Sequence, residues 1–185
     1  MDNIILNGYF QSWKYFKDTY DQIYNLLDMD ELKKKYYVKN ACSMHFRLGD
    51  YKQKQKFHNI LSLEYYDNAL EYLVNKTKDN WNIFYFCELE DLDLVKLRID
   101  ELKLKYKNLN FIYISNEKDD WEQLLIMSNC SHNIIANSTF SWWGAYLNSN
   151  KEKIVICPDK WFGPKNIKNK IDDLFYQNCI RIKFR

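Results

Sequence analysis

The chain of 185 residues is 46% hydrophobic and 17% aromatic, with four Gly and two Pro, a composition that builds one substantial core and excludes a disordered chain. Its formal charge of +2 excludes a strong sequence-independent pull on nucleic acid or an anionic membrane. No apolar run approaches the roughly eighteen residues of a membrane span, and Met1-Asp2-Asn3 opens no secretory pattern, so a soluble cytoplasmic chain is expected, with membrane association left to any segment outside it.

Five cysteines, Cys42, Cys87, Cys130, Cys157 and Cys179, are odd in number, widely spaced and set in or beside apolar runs. Buried free thiols in a reducing compartment are expected. The three histidines have no metal-ligand spacing, so no metal is expected. The lysine groups Lys33-Lys34-Lys35 and Lys52, Lys54, Lys56 read as solvated faces or loop.

In chain order, Ile4-Ile5-Leu6-Asn7-Gly8-Tyr9-Phe10 reads like the interior of a longer protein, exposing its aromatics unless another layer covers them. From Ser12 to about Tyr36, Phe16, Tyr20, Ile23, Tyr24, Leu27 and Leu32 fall at helical spacing, which predicts a helical lead-in. Ala41 to Phe46 predicts a strand that exits through His45-Phe46-Arg47-Leu48-Gly49-Asp50-Tyr51 into a polar loop. A helix follows from Ser62 to about Lys78, with Leu63, Tyr66, Ala69, Leu70, Leu73 and Val74 on one face. Strands are predicted at Asn82 to Cys87, Asn110 to Ile114, His132 to Ala136 and Lys153 to Cys157, the last stopped by Pro158. Helices are predicted from Leu92 to Tyr106 and from Asp119 to Cys130, where Asp119 and Glu122 have capping-box spacing.

Between the fourth and fifth strands lies Asn137-Ser138-Thr139-Phe140-Ser141-Trp142-Trp143, a strand end, a polar turn and a helix starting on a small hydroxyl. Such a start directs backbone N–H groups and the positive end of the helix dipole at one point, where a phosphate is held well. The same pattern also serves an ordinary N-cap with the tryptophans in the core. Five short strands, apolar on both faces and alternating with helices, predict an α/β, Rossmann-like parallel sheet flanked by helices. Ligands of such sheets sit at the carboxyl ends of the strands, near the reversal of strand order. Arg47, Glu88 and Asn137 to Phe140 all fall there. A guanidinium can grip a diphosphate bidentately while the helix start adds neutral donors, absorbing charge on a leaving diphosphate without a metal. For Arg47 a salt bridge to Asp50 is the competing use, and for Asp50 a loop cap.

These stretches resemble the α-1,2-fucosyltransferases, glycosyltransferase family eleven. His45-Phe46-Arg47-Leu48-Gly49-Asp50-Tyr51 is similar to the family's His-x-Arg-x-Gly-Asp-Tyr motif. The likeness continues through Leu63-Glu64-Tyr65-Tyr66, Phe84-Tyr85-Phe86, Trp121 to Ser128, His132 to Ala145, Lys153 to Ile156 and Pro158 to Trp161, and extends back to Gly8 to Ser12 and Tyr15-Phe16. The resemblance implies the carboxyl-terminal, GDP-fucose-binding half of a GT-B glycosyltransferase. It implies inverting, metal-independent transfer of L-fucose to the 2-hydroxyl of a terminal galactose, with a galactose-terminated glycan as acceptor and no cofactor beyond the donor. By resemblance Arg47 holds the β-phosphate and assists departure of GDP. Ser138, Thr139 and Phe140, beside Asn137, line the diphosphate and fucose pocket, while His45, Gly49 and Asp50 shape the loop.

Two departures stand out. Leu48 replaces the second Arg of many relatives, and Cys87-Glu88-Leu89-Glu90-Asp91 stands where relatives carry Ser-Asp-Asp, leaving Glu88 either to accept from guanine or to stand as a loop acid. The glycine-rich motif and acceptor domain with which relatives begin have no counterpart before Met1. Residues 1–40 therefore read as a helical lead-in from a missing amino-terminal domain and 41–185 as the nucleotide-sugar domain, with the acceptor domain expected elsewhere, on another chain for instance. Two rivals remain. One is a catalytically silent GDP-sugar-binding module or interaction subunit. The other is a metal-dependent transferase using Asp28-Met29-Asp30 or Asp91-Leu92-Asp93, pairs that also read as helix caps or surface charges.

Overall fold

Six parallel strands lie in the order β3-β2-β1-β4-β5-β6 in a computed structural model that describes residues 5, 7, 12–36, 38–115, 117–175 and 179–184. They are β1 (Ala41–His45), β2 (Asn82–Phe86), β3 (Asn110–Tyr113), β4 (His132–Ile134), β5 (Val155–Pro158) and β6 (Ile180–Ile182). The helices are α1 (Tyr20–Leu26), α2 (Met29–Lys35), α3 (Leu63–Thr77), α4 (Leu92–Lys105), α5 (Asp120–Asn129) and α6 (Thr139–Tyr146). Every residue of β1 is buried, as expected of a central strand covered on both faces by helices. The fold is α/β and Rossmann-like.

The chain builds outward from β1 through β2 to β3, then returns to lay β4 against the other side of β1 and continues to β5 and β6. Strand order therefore reverses between β1 and β4. The loops leaving those two strands carry Arg47 and Asn137-Ser138-Thr139. Ladder bonds run one step past the strand ends, from Phe46 N–H to Phe86 O at 2.8 Å and from Ile135 N–H to Ile156 O at 2.9 Å, so the longer predicted strands differ only at their fraying termini.

Helix α3 fixes the two strand ends. Its buried Tyr66 hydroxyl donates to His45 O at 3.0 Å and its buried Tyr65 hydroxyl donates to Ile135 O at 2.6 Å, satisfying carbonyls that the short ladders leave without partners. The two rings pack edge to face with centroids 5.0 Å apart, and Phe46 stacks on Tyr66 at 4.0 Å. Tyr65-Tyr66 thus belong to both core and site support.

Four expectations are corrected. The helical lead-in is broken: a 3-10 turn at Trp13–Tyr15 precedes α1, and Asp28, in the left-handed region at φ 48°, separates α1 from α2. Asp tolerates that region better than most residues. Phe16 and Tyr20 nevertheless rest on α6, with centroids 4.9 Å from Trp143 and 5.4 Å from Tyr146 respectively. Lys33 is not a solvated residue. It is buried and donates to Leu147 O at 2.8 Å, while Lys153 donates to Ala145 O at 2.8 Å, so two ammonium groups cap the carboxyl end of α6. Burial pushes both pKa values down to about 8.

The third correction is the sixth strand, β6, which sequence reading did not separate from the polar stretch before it. Three residues with an exposed Arg181 in the middle give too short an apolar signal. The fourth follows from it. Because β6 pairs with β5, Cys179 comes beside Cys157 and the two form a disulfide with Cα atoms 6.6 Å apart; Cys42, Cys87 and Cys130 are buried thiols outside it. Tyr9, Phe10 and the resemblance read from Gly8 to Gln11 lie outside the described residues. Among those described, no helix is long and apolar enough to cross a membrane.

Candidate functional site

At the carboxyl ends of β1 and β2 a cleft of about 620 Å³ opens between the strand ends and the first turns of α5 and α6, lined by His45, Arg47, Glu88 and Phe140 among others. That volume lies within the range of small-molecule sites. Arg47 is held at its mouth. One guanidinium nitrogen donates to Glu88 Oε1 at 2.9 Å, another donates to Asp50 Oδ1 at 2.7 Å, and the Tyr51 ring lies 5.3 Å below. The side chain is 28% exposed. It is thus oriented by two carboxylates yet open to a stronger anion. Lys54 donates to Asp50 at 3.0 Å and, with Arg47, holds that carboxyl below its ordinary range.

His45 stands beneath. Its ring meets Phe140 with centroids 5.7 Å apart, and its buried Nδ1 has no hydrogen-bond partner. Burial first, and the Arg47 charge second, push its pKa down to about 3. The imidazole is therefore neutral throughout the ordinary pH range.

The loop after β1 is shaped from below by a residue that sequence reading took for a cap or a metal candidate. Asp91 is buried, accepts from Gly49 N–H at 2.6 Å and pairs with Lys52. Gly49 has φ +30°, in a region that side chains strain to enter. Asp91 and Gly49 together turn the chain so that Arg47 faces the cleft. Replacing Asp91 by Ala leaves the Gly49 N–H without its acceptor and is expected to lower the unfolding free energy by about 2 kcal/mol, read by urea denaturation. No group of three or more His, Cys, Asp or Glu that could hold a metal occurs among the described residues.

On the β4 side, Ser138 caps α6, its Oγ accepting from Phe140 N–H at 3.3 Å, and no acidic residue occupies the helix's first turn. Asn137 is largely committed to structure: its Nδ2 donates to Asn59 O at 2.9 Å and Trp161 O at 3.0 Å, and its backbone carbonyl accepts from the Tyr51 hydroxyl at 3.1 Å, while its buried Oδ1 has no hydrogen-bond partner among the described residues. Gly163 N–H donates to Phe57 O at 2.7 Å. These bonds join the loops after β1, β4 and β5 into one wall.

Of the sequence candidates, His45, Arg47, Glu88 and Phe140 line the cleft directly. Asp50 touches Arg47, Gly49 lies behind it, and Asn137, Ser138 and Thr139 form the adjoining turn outside the lining. Glu88, a candidate for guanine, instead faces Arg47. The far wall was missed. Lys118, Asp119, Asp120, Trp121 and Gln123, at the start of α5, line the cleft as well. The capping box at Asp119 and Glu122, present as predicted, follows a strand end just as Ser138 does and marked this turn by the same rule.

The profile described as Glycosyl transferase family 11 matches residues 2–183. The chain is 32% identical over 162 residues to the O-antigen biosynthesis glycosyltransferase WbnK of Escherichia coli, an alignment covering 82% of this chain and 49% of that protein. It is 31% identical over 165 residues to an Escherichia coli alpha-1,2-colitosyltransferase, covering 84% of this chain and 55% of the relative. The chain thus spans about half the length of these relatives. With a parallel sheet, a switch-point arginine and a family match over nearly all its residues, the chain belongs to glycosyl transferase family 11.

Proposed function

We propose that this chain is the donor-nucleotide half of an inverting, metal-independent glycosyltransferase that moves L-fucose from GDP-fucose to the 2-hydroxyl of a terminal galactose. The observation that carries the proposal is Arg47, held by two carboxylates at the mouth of the cleft, beside the acid-free start of α6. A diphosphate exchanges those carboxylates for its own oxygens, and it brings more charge than either. During transfer the sugar C1–O bond breaks with its electron pair leaving on the diphosphate, while the acceptor hydroxyl oxygen bonds to C1 from the opposite face and gives up its proton to water or to a base on the acceptor side. Arg47, with the positive end of the α6 dipole behind it, stabilises the charge that grows on the leaving oxygen. Neutral His45 adds no competing cation and backs the Phe140 side of the pocket.

Calorimetric titration with GDP and GDP-fucose tests the phosphate assignment. Arg47→Ala is expected to weaken GDP about 100-fold, the worth of a bidentate charge-assisted contact; equal affinity in the two proteins removes Arg47 from the site. Transfer to galactose-terminated acceptors, in the presence and absence of EDTA, tests the reaction, and a colitose donor in parallel tests the sugar, since one relative is named for that substrate. A second reading is favoured by Glu88 and Asp50, which already engage the Arg47 guanidinium: a catalytically silent GDP-sugar-binding module or interaction subunit. GDP affinity without transfer supports it.

A further inference from the structure

Helix α4 is apolar on two sides. Its core side is formed by Val95, Ile99 and Leu102, all buried. At about 100° per residue, Leu97, midway between Val95 and Ile99 in sequence, points directly away from that core. Leu104, one heptad further on, drifts from the same line by only about 20°. Leu97 is 64% exposed, Leu104 76% and Leu94 44%. A single exposed leucine needs no explanation, but three on the outer face of one helix, where polar residues belong, form an apolar seam. Their spacing of three and seven residues is the one by which helices pair.

The charges beside the seam select what covers it. Along one edge run Asp93, Lys96, Asp100 and Lys103, all exposed, in the order negative, positive, negative, positive. Read from the other end the order is positive, negative, positive, negative. The edge therefore complements a copy of itself laid antiparallel and repels a copy laid parallel.

We propose that α4 is a self-association face, on which a second copy of this chain packs its own α4 antiparallel through Leu94, Leu97 and Leu104. One register satisfies every pair. With the two-fold axis level with Arg98, Asp93 meets Lys103 of the partner subunit and Lys96 meets Asp100 of the partner subunit, each twice by symmetry. In that register the two copies of Leu97 meet at the axis, and Leu94 interleaves with Leu104 of the partner subunit. Lys103 already bonds Asp100 on its own helix at 2.9 Å, so the pairs join into a network. Glu101 occupies the remaining seam position, where a polar residue fixes register at a cost in affinity. Because α4 begins just past Glu88, the antiparallel arrangement leaves the two clefts at opposite ends of the seam, and the proposal is independent of which donor they take. A helix of 14 residues is about 21 Å long. One such pair buries less than the roughly 1,200 Å² of stable complexes, so a weak, concentration-dependent dimer is expected.

Sedimentation equilibrium of the full chain across the micromolar range tests this. A reversible monomer–dimer equilibrium without higher species is expected, because an isologous contact closes on itself. Leu97→Asp sets two carboxylates together at the axis and is expected to weaken the dimer at least about tenfold. Asp93→Lys and Lys103→Asp each place like charges in contact twice and are expected to weaken it about tenfold. An equimolar mixture of those two variants restores opposite charges at both contacts and is expected to dimerise as tightly as the parent chain, a rescue that no folding defect can imitate. A chain that stays monomeric overturns the proposal and leaves the seam to a different protein or a further domain. A dimer that survives Leu97→Asp lies on another face and overturns it too, and a mixture that associates no more tightly than either charge variant alone overturns the antiparallel pairing.

Discussion

Gly163→Ala is expected to lower the unfolding free energy by about 3 kcal/mol and to weaken GDP binding, although residue 163 lies outside the cleft lining. A Cβ at this position comes within 2.6 Å of Gln55 O and 2.8 Å of both His58 N and Phe57 C. These are backbone atoms, so no rotamer change relieves the overlap, and the cost falls at the upper end of the range for overpacking. The two segments must separate, and their bonds go with them: Gly163 N–H to Phe57 O at 2.7 Å, Lys165 N–H to Lys56 O at 2.8 Å and Asn59 Nδ2 to Phe162 O at 2.7 Å. Asn59 O is also an acceptor for Asn137, so a displaced loop disturbs the turn before α6 as well as the segment that carries Arg47. Urea denaturation and GDP calorimetry on the same variant check both effects. Unchanged stability together with unchanged affinity refutes the view that one wall supports both halves of the phosphate site.

The wall also marks where sequence reading ends. Apolar runs announce five of six strands because a strand buried on both faces draws apolar residues to both; β1 and β4 are buried at every position, their polar Ser43, His45, His132 and Asn133 included. Arg47 and Ser138 were legible because the carboxyl end of a parallel strand is a position defined by local sequence. What joins them is not local. Asn137, Asn59 and Trp161 meet through backbone carbonyls, and Asn137 alone reads as a polar turn residue equally fit to touch a ligand. Asp91 looked like a cap because it precedes α4, yet its side chain makes no capping bond and serves a loop 42 positions earlier. Lys33 sits in a lysine run whose neighbours are exposed, and only the carboxyl end of α6 shows why it is buried. In each case the partner is a main-chain carbonyl or amide, and those carry no residue-type signal.

Acidification from pH 7 to pH 5 is expected to cost about 2 kcal/mol of stability through His45 alone, with His58 and His132 adding to it. In the folded protein burial and the Arg47 charge lower the His45 pKa from 6.5 to about 3. Below pH 6.5 the unfolded chain takes up a proton that the folded chain refuses, so the unfolded state is favoured. The contribution is fully present above about pH 6.5 and is lost progressively toward pH 3, at roughly 1.4 kcal/mol per pH unit once well below the unfolded pKa. His132 acts in the same direction, since burial lowers its pKa and its Nδ1 accepts from Ile154 N–H at 3.0 Å, a bond that protonation abolishes. Asp50 and Glu122 are shifted downward, so what they contribute is lost mainly as pH falls below this window. His45→Gln removes the titrating group while keeping a polar side chain, and its unfolding free energy from urea titrations between pH 7 and pH 5 is expected to be flatter than that of the unmodified chain by about 2 kcal/mol. Equal slopes in the two proteins show that the imbalance lies elsewhere and that His45 takes up its proton as readily in the fold as in the unfolded chain.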